Sequence, residues 1–506
     1  MTDVREEDGA LSDQMRRGLR WSFVNTLGVR VMSFASGIIL ARLLVPEDFG
    51  AFAAALAVVN ILFGWNDLGM LLALVRWRGD LKAAARTAMT LSMLPSLGIY
   101  VACFALAPAF AEFMDSPRSV GILRLIALTV VIDGFVAVPQ GLLVRNFSQK
   151  RMAIIEFTAV PINVITTVVL AVLGFGPWAL AIGQVAGNCV SAALLTIMAP
   201  FRVRPGFDRA IARSMLSFGI PLAFTSMVEY ILLNADYVVV GSFLGPAALG
   251  FYLLAFNVSN WPVNLLSDAI RRVSIAGFAE LSKDEKSLRK NFNPMFALLL
   301  TATLPAILLL VLLAPEVVRF LYGSKWGPSG EVLSFLAILA GSRIAVGFIF
   351  DLLVGAGRSR TTLWLQSIWL VVLVPSLAFG AHFGNIKGVA IAHAIVALAV
   401  ASPLFLVAMS RFGIDLRDLL RRLVRPAIGG AVAASVGLAL STGLHHTLSR
   451  LLVMGPAIAL AYVVCVVPLH LLTPSSLLGA IRSRRTLEPP PSPTPAAATA
   501  ASVAEA

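Results

Sequence analysis

Long apolar runs separated by short basic stretches set the rhythm of this chain. A helix needs about 20 apolar residues to cross roughly 30 Å of hydrocarbon. Runs of that length fall at 20–41, 49–75, 87–110, 119–142, 152–174, 177–199, 214–243, 247–270, 294–314, 330–355, 361–382, 386–409, 425–443 and 451–472. Several contain Pro or Gly, which a membrane-buried helix tolerates where neighbours take up the freed backbone groups. The alternation expected of membrane strands is missing, which argues against a β-barrel. The pattern predicts an all-α polytopic membrane protein of fourteen transmembrane helices.

Composition agrees with this reading. Of 506 residues, 58% are apolar and only 13% charged, and the mean hydropathy is +0.86. A soluble chain carries about 25% charged residues, so a water-soluble enzyme is excluded. The net charge of +13 suggests nucleic acid at first sight, but its placement gives another reason. With a cytoplasmic N-terminus, 31 Lys and Arg fall on the inner side and 6 on the outer, leaving Arg30, Arg124 and Arg343 within helices. Short loops rich in Lys and Arg stay in the cytoplasm, so both termini are expected there, and the basic inner face suits an anionic leaflet. Acidic residues (Glu6, Glu7, Asp8, Asp13) precede the basic cluster Arg16, Arg17 and Arg20, unlike a cleavable signal peptide. The stretch Glu488–Ala506 is rich in Pro and Ala and is expected to be a disordered tail.

Reactive chemistry is sparse. Cys103, Cys189 and Cys465 are scattered through apolar runs, as core hydrophobes rather than disulfide partners. The histidines (His382, His393, His445, His446, His470) lack metal-ligand spacing with carboxylates. There is no Gly-xxxx-Gly-Lys phosphate loop, and the longest outer loop, about 315–329, is too short to house a catalytic domain. No enzyme activity, metal or cofactor is expected. Trp21, Trp178, Trp261, Trp326 and Trp364 lie near predicted helix ends and are read as an interfacial belt. Gly183-xxx-Gly187 offers a place for close helix approach.

The sequence repeats itself. A shift of 200 residues lays Pro46 on Pro246, Gly50 on Gly250, Phe52 on Tyr252, Asn60 on Asn260 and Ile38–Ile39 on Val238–Val239. A shift of 210 lays Leu142–Leu143–Val144 on Leu352–Leu353–Val354 and Gly174 on Gly384. Two copies of one six-helix bundle, with an even number of helices each, are related by an axis along the membrane normal, a transporter architecture with its site between the halves. The chain divides into a cytoplasmic segment 1–19, a first bundle 20–199, a cytoplasmic linker 200–213, a second bundle 214–409, a linker with two further helices 410–472, and a cytoplasmic tail 473–506.

Local motifs narrow the family. Arg42–Leu43–Leu44–Val45–Pro46–Glu47–Asp48–Phe49–Gly50, then Asp67–Leu68–Gly69 and Ala73–Leu74–Val75–Arg76, open the first half. Asp236, Leu244–Gly245–Pro246 with Gly250, and Leu321–Tyr322–Gly323–Ser324–Lys325–Trp326 mark the second. Over about residues 15–412 the chain resembles Wzx-type polysaccharide flippases of the multidrug/oligosaccharidyl-lipid/polysaccharide exporter superfamily, with Val45 and Met70 as mild departures. The resemblance implies that superfamily's fold and a lipid-linked oligosaccharide as substrate. It implies a bacterial inner-membrane location, no nucleic-acid partner, and a polysaccharide polymerase and chain-length or export proteins as working partners.

Charges at membrane depth cost at least about 2.5–3.5 kcal/mol each at a helix centre, so they face an interior or an aqueous cavity. Arg30, Glu229 and Arg343 fall at mid-helix positions. Arg30 and Arg343 suit the phosphates of a lipid diphosphate, because a guanidinium pairs with phosphate oxygens through two parallel hydrogen bonds. Glu229 is then a counter-ion to Arg30 or a coupling carboxylate, and a plain structural ion pair is the alternative for each. Asp67, Asp133, Asp236, Asp268 and Asp351 sit nearer the helix ends as coupling or structural charges. The expected activity is outward transfer of an undecaprenyl-diphosphate-linked oligosaccharide for lipopolysaccharide, capsule or exopolysaccharide assembly. The alternatives are a cation-coupled drug antiporter and a peptidoglycan-precursor flippase of the same superfamily.

Overall fold

A computed structural model describes residues 28–66, 68–146, 148–281, 285–356, 358–444 and 446–466, with the backbone alone over 262–281, 285–290 and at Ser359. Segments 1–19 and 473–506, Asp67 and the side chain of Asp268 therefore lie outside the description. Among the described residues the chain is helical and contains no strand. The first half comprises α1 (28–43), α2 (Pro46–Asn66), α3 (Met70–Arg76), α4 (Leu81–Phe113), α5 (Ser119–Ile126), α6 (Leu128–Arg145), α7 (Gln149–Val172) and α8 (Pro177–Met198). The second comprises α9 (Arg209–Leu281), α10 (Glu285–Tyr322), α11 (Gly327–Gly355), α12 (Ser359–Val396) and α13 (Ser402–Arg411). Then follow α14 (Leu416–Gly443), α15 (Thr447–Ser449) and α16 (Gly455–Val466).

Eleven helical stretches among the described residues are long and apolar enough to cross a membrane. Two of them, Arg209–Trp261 and Arg360–Arg411, run to 53 and 52 residues, too long for one crossing at 1.5 Å per residue. Each is broken inside: Gly245 lies at φ 79 in α9, and Gly384–Asn385 leave helical geometry in α12. Fourteen crossings require splitting both at these breaks and counting residues 28–43 as well. The predicted run 49–75 is also interrupted, with Leu68 at φ 45 and Gly69 at φ 69. The region expected as an open loop at about 315–329 is mostly helix, because α10 continues to Tyr322 and a 3₁₀ turn covers Ser324–Trp326.

Large apolar side chains such as Leu106, Val172, Ile197, Val371 and Leu452 point outward, as a lipid-bathed surface requires. Of the cysteines Cys103 is buried and Cys465 partly so, but Cys189 faces outward on α8, contrary to the core reading. Gly183 and Gly187 do bring α8 against α7, since a Cβ at either would crowd Thr167 or Asn163. Among the described residues the last helices pack chiefly on α10: the Tyr462 hydroxyl donates to the Thr301 carbonyl (2.8 Å), and Arg450 pairs with Glu316 at 2.6 Å.

The two halves meet along α2, which runs antiparallel to the first arm of α9. At one end the repeat-equivalent glycines face each other: a Cβ on Gly50 would collide with the Pro246 carbonyl, and one on Gly250 with the Pro46 carbonyl. This reciprocal contact is what a two-fold axis between the copies demands. Midway, Asn60 Nδ2 donates to Asn234 Oδ1 at 3.2 Å. At the far end Gly64 lies on Met227, and Gly219 lies against the Leu68 carbonyl. The seam is closed over its whole length.

Candidate functional site

The motif residues explain the closed end. Arg42 at the end of α1 donates through Nε to the Leu321 carbonyl (3.1 Å) and through Nη2 to that of Phe320 (2.9 Å), capping the C-terminus of α10. In return Lys325 donates to the carbonyls of Arg42 (3.1 Å) and Leu44 (2.7 Å), and Trp326 Nε1–H to that of Ala41 (2.8 Å). Trp326 is fully buried between Phe49 and Phe251, so it is a fastener between the halves rather than part of an interfacial belt. Two motifs far apart in sequence thus form one latch.

Each half contains a partly open cavity with polar groups in its wall. The first, about 460 Å³, lies among α2, α6, α7 and α8. Its polar lining comes from Thr129, Asp133, Gln140, Glu156, Asn163, Asn188 and Ser191. Asp133 Oδ2 accepts from Asn66 Nδ2 at 2.8 Å, and Asn66 Nδ2 also donates to the Val130 carbonyl. The second, about 160 Å³, lies among both arms of α9, α11, both arms of α12, and α13. Glu229, Arg343, Gln366 and His393 supply its polar groups, and Phe256, Phe350, Trp369 and Phe405 its aromatic walls. Arg343 Nη1–H donates to Asn260 Oδ1 (3.1 Å), and its guanidinium lies 5.2 Å from the Phe256 ring centre.

Under the shift of 210 the two linings coincide at six positions. Asp133 falls on Arg343, Val136 on Val346, Gln140 on Phe350, Glu156 on Gln366, Ala159 on Trp369 and Leu195 on Phe405. The two linings share these six positions, with the charge inverted at the first and removed at the fourth, whereas Glu229, Phe256 and His393 have no counterpart in the first cavity.

Behind the second cavity sits a buried polar knot. Asp236 has no exposed surface; its Oδ2 accepts from the Tyr252 hydroxyl (3.0 Å), and its Oδ1 from the Tyr237 amide (2.9 Å). His393 Nδ1 stands 3.5 Å from Asp236 Oδ2 without a hydrogen bond. A π-type turn at Ala397–Ala401 separates His393 from Phe405 and is tied by Ser342 and Ser402, both of which donate to the Ala397 carbonyl. Such turns recur at functional positions.

Of the residues marked from sequence, Arg343 and Glu229 share the second cavity and Asp133 lines the first. Asp236 lies behind the second. Arg30, half-buried on α1, and Asp351 on α11 line neither. Sequence reasoning did not single out Gln366, Trp369, His393 or Glu156 as lining residues. The spacing of Gln366 and Trp369, three apart on one helical face, was the available signal.

Comparison with known proteins follows the same line. The family described as "Polysaccharide biosynthesis protein" matches residues 39–331. The succinoglycan biosynthesis transport protein ExoT of Rhizobium meliloti is 27% identical over 83% of this chain and 85% of its own length. The lipopolysaccharide biosynthesis protein WzxC of Escherichia coli is 24% identical over 76% of this chain and 79% of its own. Among solved structures, the lipid II flippase MurJ in an inward closed conformation superposes with a TM-score of 0.72 at 16% identity, covering 88% of this chain and 97% of that one. At that identity the likeness is one of fold.

Proposed function

The chain belongs to the polysaccharide biosynthesis protein family, and on that premise we propose that it carries a lipid-diphosphate-linked oligosaccharide across the bacterial cytoplasmic membrane for polysaccharide assembly. The observation that carries this reading is the pair of repeat-equivalent polar cavities inside a bundle whose outer surface is apolar. A hydroxyl-rich head group needs hydrogen-bonding partners at membrane depth, and a polyprenyl tail needs none. The relatives in succinoglycan and lipopolysaccharide biosynthesis support the same substrate class.

The mechanism is alternating access about the seam. The latch at Arg42, Lys325 and Trp326 closes the end that the charge bias assigns to the outer face. Parting of Gly64 from Met227, and of Gly219 from Leu68, opens the opposite, cytoplasmic end. Arg30 then meets the diphosphate, while Glu229 and Asp236 serve as coupling or counter-charges. A negative charge that leaves a negative interior uncompensated gains about 2.3 kcal/mol per 100 mV, and this or the coupled inward movement of H⁺ or Na⁺ drives transfer without ATP. Expected partners are a polysaccharide polymerase and export proteins, and both termini face the cytoplasm.

Proteoliposomes loaded with a radiolabelled lipid-diphosphate oligosaccharide test this. Wild type transfers the lipid to the outer leaflet, Arg30→Ala abolishes transfer, and Arg30→Lys retains part of it. A wild type that transfers no lipid but exports a small organic cation down a cation gradient overturns the reading in favour of the drug antiporter.

A further inference from the structure

We propose that the cavity of the second half is a binding site for a single uncharged sugar ring, a step that rests on the flippase reading and assigns its sugar a place. The residues lining the cavity carry polar atoms that make no hydrogen bond, His393 Nδ1 having only the ion-pair contact with Asp236 behind it. Gln366 Oε1, Trp369 Nε1 and His393 Nδ1 make no hydrogen bond, and each of these side chains is at least nine-tenths buried. Leaving such a group unpartnered costs about 1–3 kcal/mol, and native chains seldom leave several together. All three line the same space of about 160 Å³, which holds on the order of five waters, or one sugar ring in their stead.

The lining selects among ligands. Arg343 in the wall repels a cation, and Glu229 with Asp236 behind it opposes an anion. The orphaned groups are mixed, an amide acceptor beside an indole donor, and a hydroxyl satisfies both because it donates and accepts. Phe350, Phe405 and Trp369 bring aromatic rings to the lining, and the negative quadrupole of such a ring attracts the C–H face of a pyranose. The equivalent first cavity has Ala159 where Trp369 stands and Gln140 where Phe350 stands, so this stacking surface belongs to the second half. A site built to bind hydroxyls rejects a ligand that lacks them, which makes this cavity a filter for the head group.

Saturation-transfer NMR on the full-length protein in detergent tests it, with D-glucose, D-galactose and N-acetyl-D-glucosamine as probes. Irradiating aromatic protons is expected to transfer signal to the ring C–H protons of at least one of these sugars. Gln366→Leu and Trp369→Leu reduce that transfer at least tenfold, and Trp364→Leu, at an outward position on the same helix, leaves it unchanged. Thermal unfolding separates binding from folding: Gln366→Leu removes an unpartnered amide and keeps or raises Tm. No transfer to any of the three sugars, or transfer unchanged in Gln366→Leu, overturns the site. Liposome transfer by wild type, run in parallel, keeps the two claims apart. Lipid transfer without sugar contact sinks the sugar site alone, and sugar contact without lipid transfer sinks the flippase reading.

Discussion

The cavity between α6, α7 and α8 and the cavity between α9, α11 and α12 occupy the same place in two copies of one bundle, yet their chemistry has parted. Apolar positions that shape the wall stayed apolar, as at Val136 and Val346 or Leu195 and Phe405. Polar positions diverged, from Asp133 and Glu156 to Arg343 and Gln366. Packing favours such apolar replacements, but Ala159 against Trp369 shows that wall volume also diverged. The second set faces open space and is free to specialise. A duplicated bundle thus keeps its seam symmetric, at Gly50 and Gly250, while its two interiors take separate tasks.

The most severe way to break this comparison is to make the second cavity acidic like the first. Arg343→Asp removes the guanidinium that bonds Asn260 and puts a carboxylate in a wall that already holds Glu229 and has Asp236 behind it, and an uncompensated buried charge costs about 3–5 kcal/mol. Size-exclusion chromatography in detergent is expected to show loss of the monodisperse protein. A milder cut compares truncations at the two equivalent positions. Arg343→Ala lowers lipid transfer at least tenfold, whereas Asp133→Ala frees the Asn66 amide from one of its two acceptors and costs roughly 1–3 kcal/mol. Transfer rates and Tm measured side by side check that order.

The knot behind the second cavity sharpens the contrast, because its equivalent under the shift of 200 is Ser36. Asp236→Leu leaves the buried Tyr252 hydroxyl without its acceptor, at about 1–3 kcal/mol, and Asp236→Asn keeps an acceptor and costs less. Thermal unfolding of the two variants is expected to rank them in that order. The smallest effect is at the latch. Trp326→Phe keeps the ring contacts with Phe49 and Phe251 and loses one hydrogen bond to Ala41, worth about 0.5–1.5 kcal/mol, read as a small drop in Tm.

Much of the scaffold was legible from the pattern of apolar runs, because lipid forces every crossing backbone to satisfy itself as helix. The shift that pairs Pro46 with Pro246 also pairs Gly50 with Gly250, and the structure brings these two glycines together at the seam, where a Cβ on either would collide with backbone. The breaks at Leu68–Gly69 and the helical continuation of α10 to Tyr322 were not legible. Both are set by the opposing half, through Gly219 in one case and Arg42 in the other. Mid-membrane charge marked Arg343 and Glu229, which line the second cavity, and equally Arg30, which lines neither. Gln366, Trp369 and His393 escaped because a neutral polar side chain in an apolar run reads the same whether it is partnered or orphaned, and only the fold distinguishes the two. Trp326 misled for a related reason: proximity to a helix end does not say whether lipid or the other half covers it.

Everything proposed for transport depends on the seam parting, and a reversible lock tests that directly. The rings of Trp65 and Phe224 meet edge to face at 4.6 Å between centres near the Gly64 and Met227 end. In a chain whose Cys103, Cys189 and Cys465 are replaced by Ala, Trp65→Cys with Phe224→Cys is bridged by a short bifunctional thiosulfonate and then released by a reductant. Transfer of lipid-diphosphate oligosaccharide in proteoliposomes is expected to stop on bridging and return on reduction. Transfer that continues unchanged across the bridged seam would contradict alternating access between the two halves.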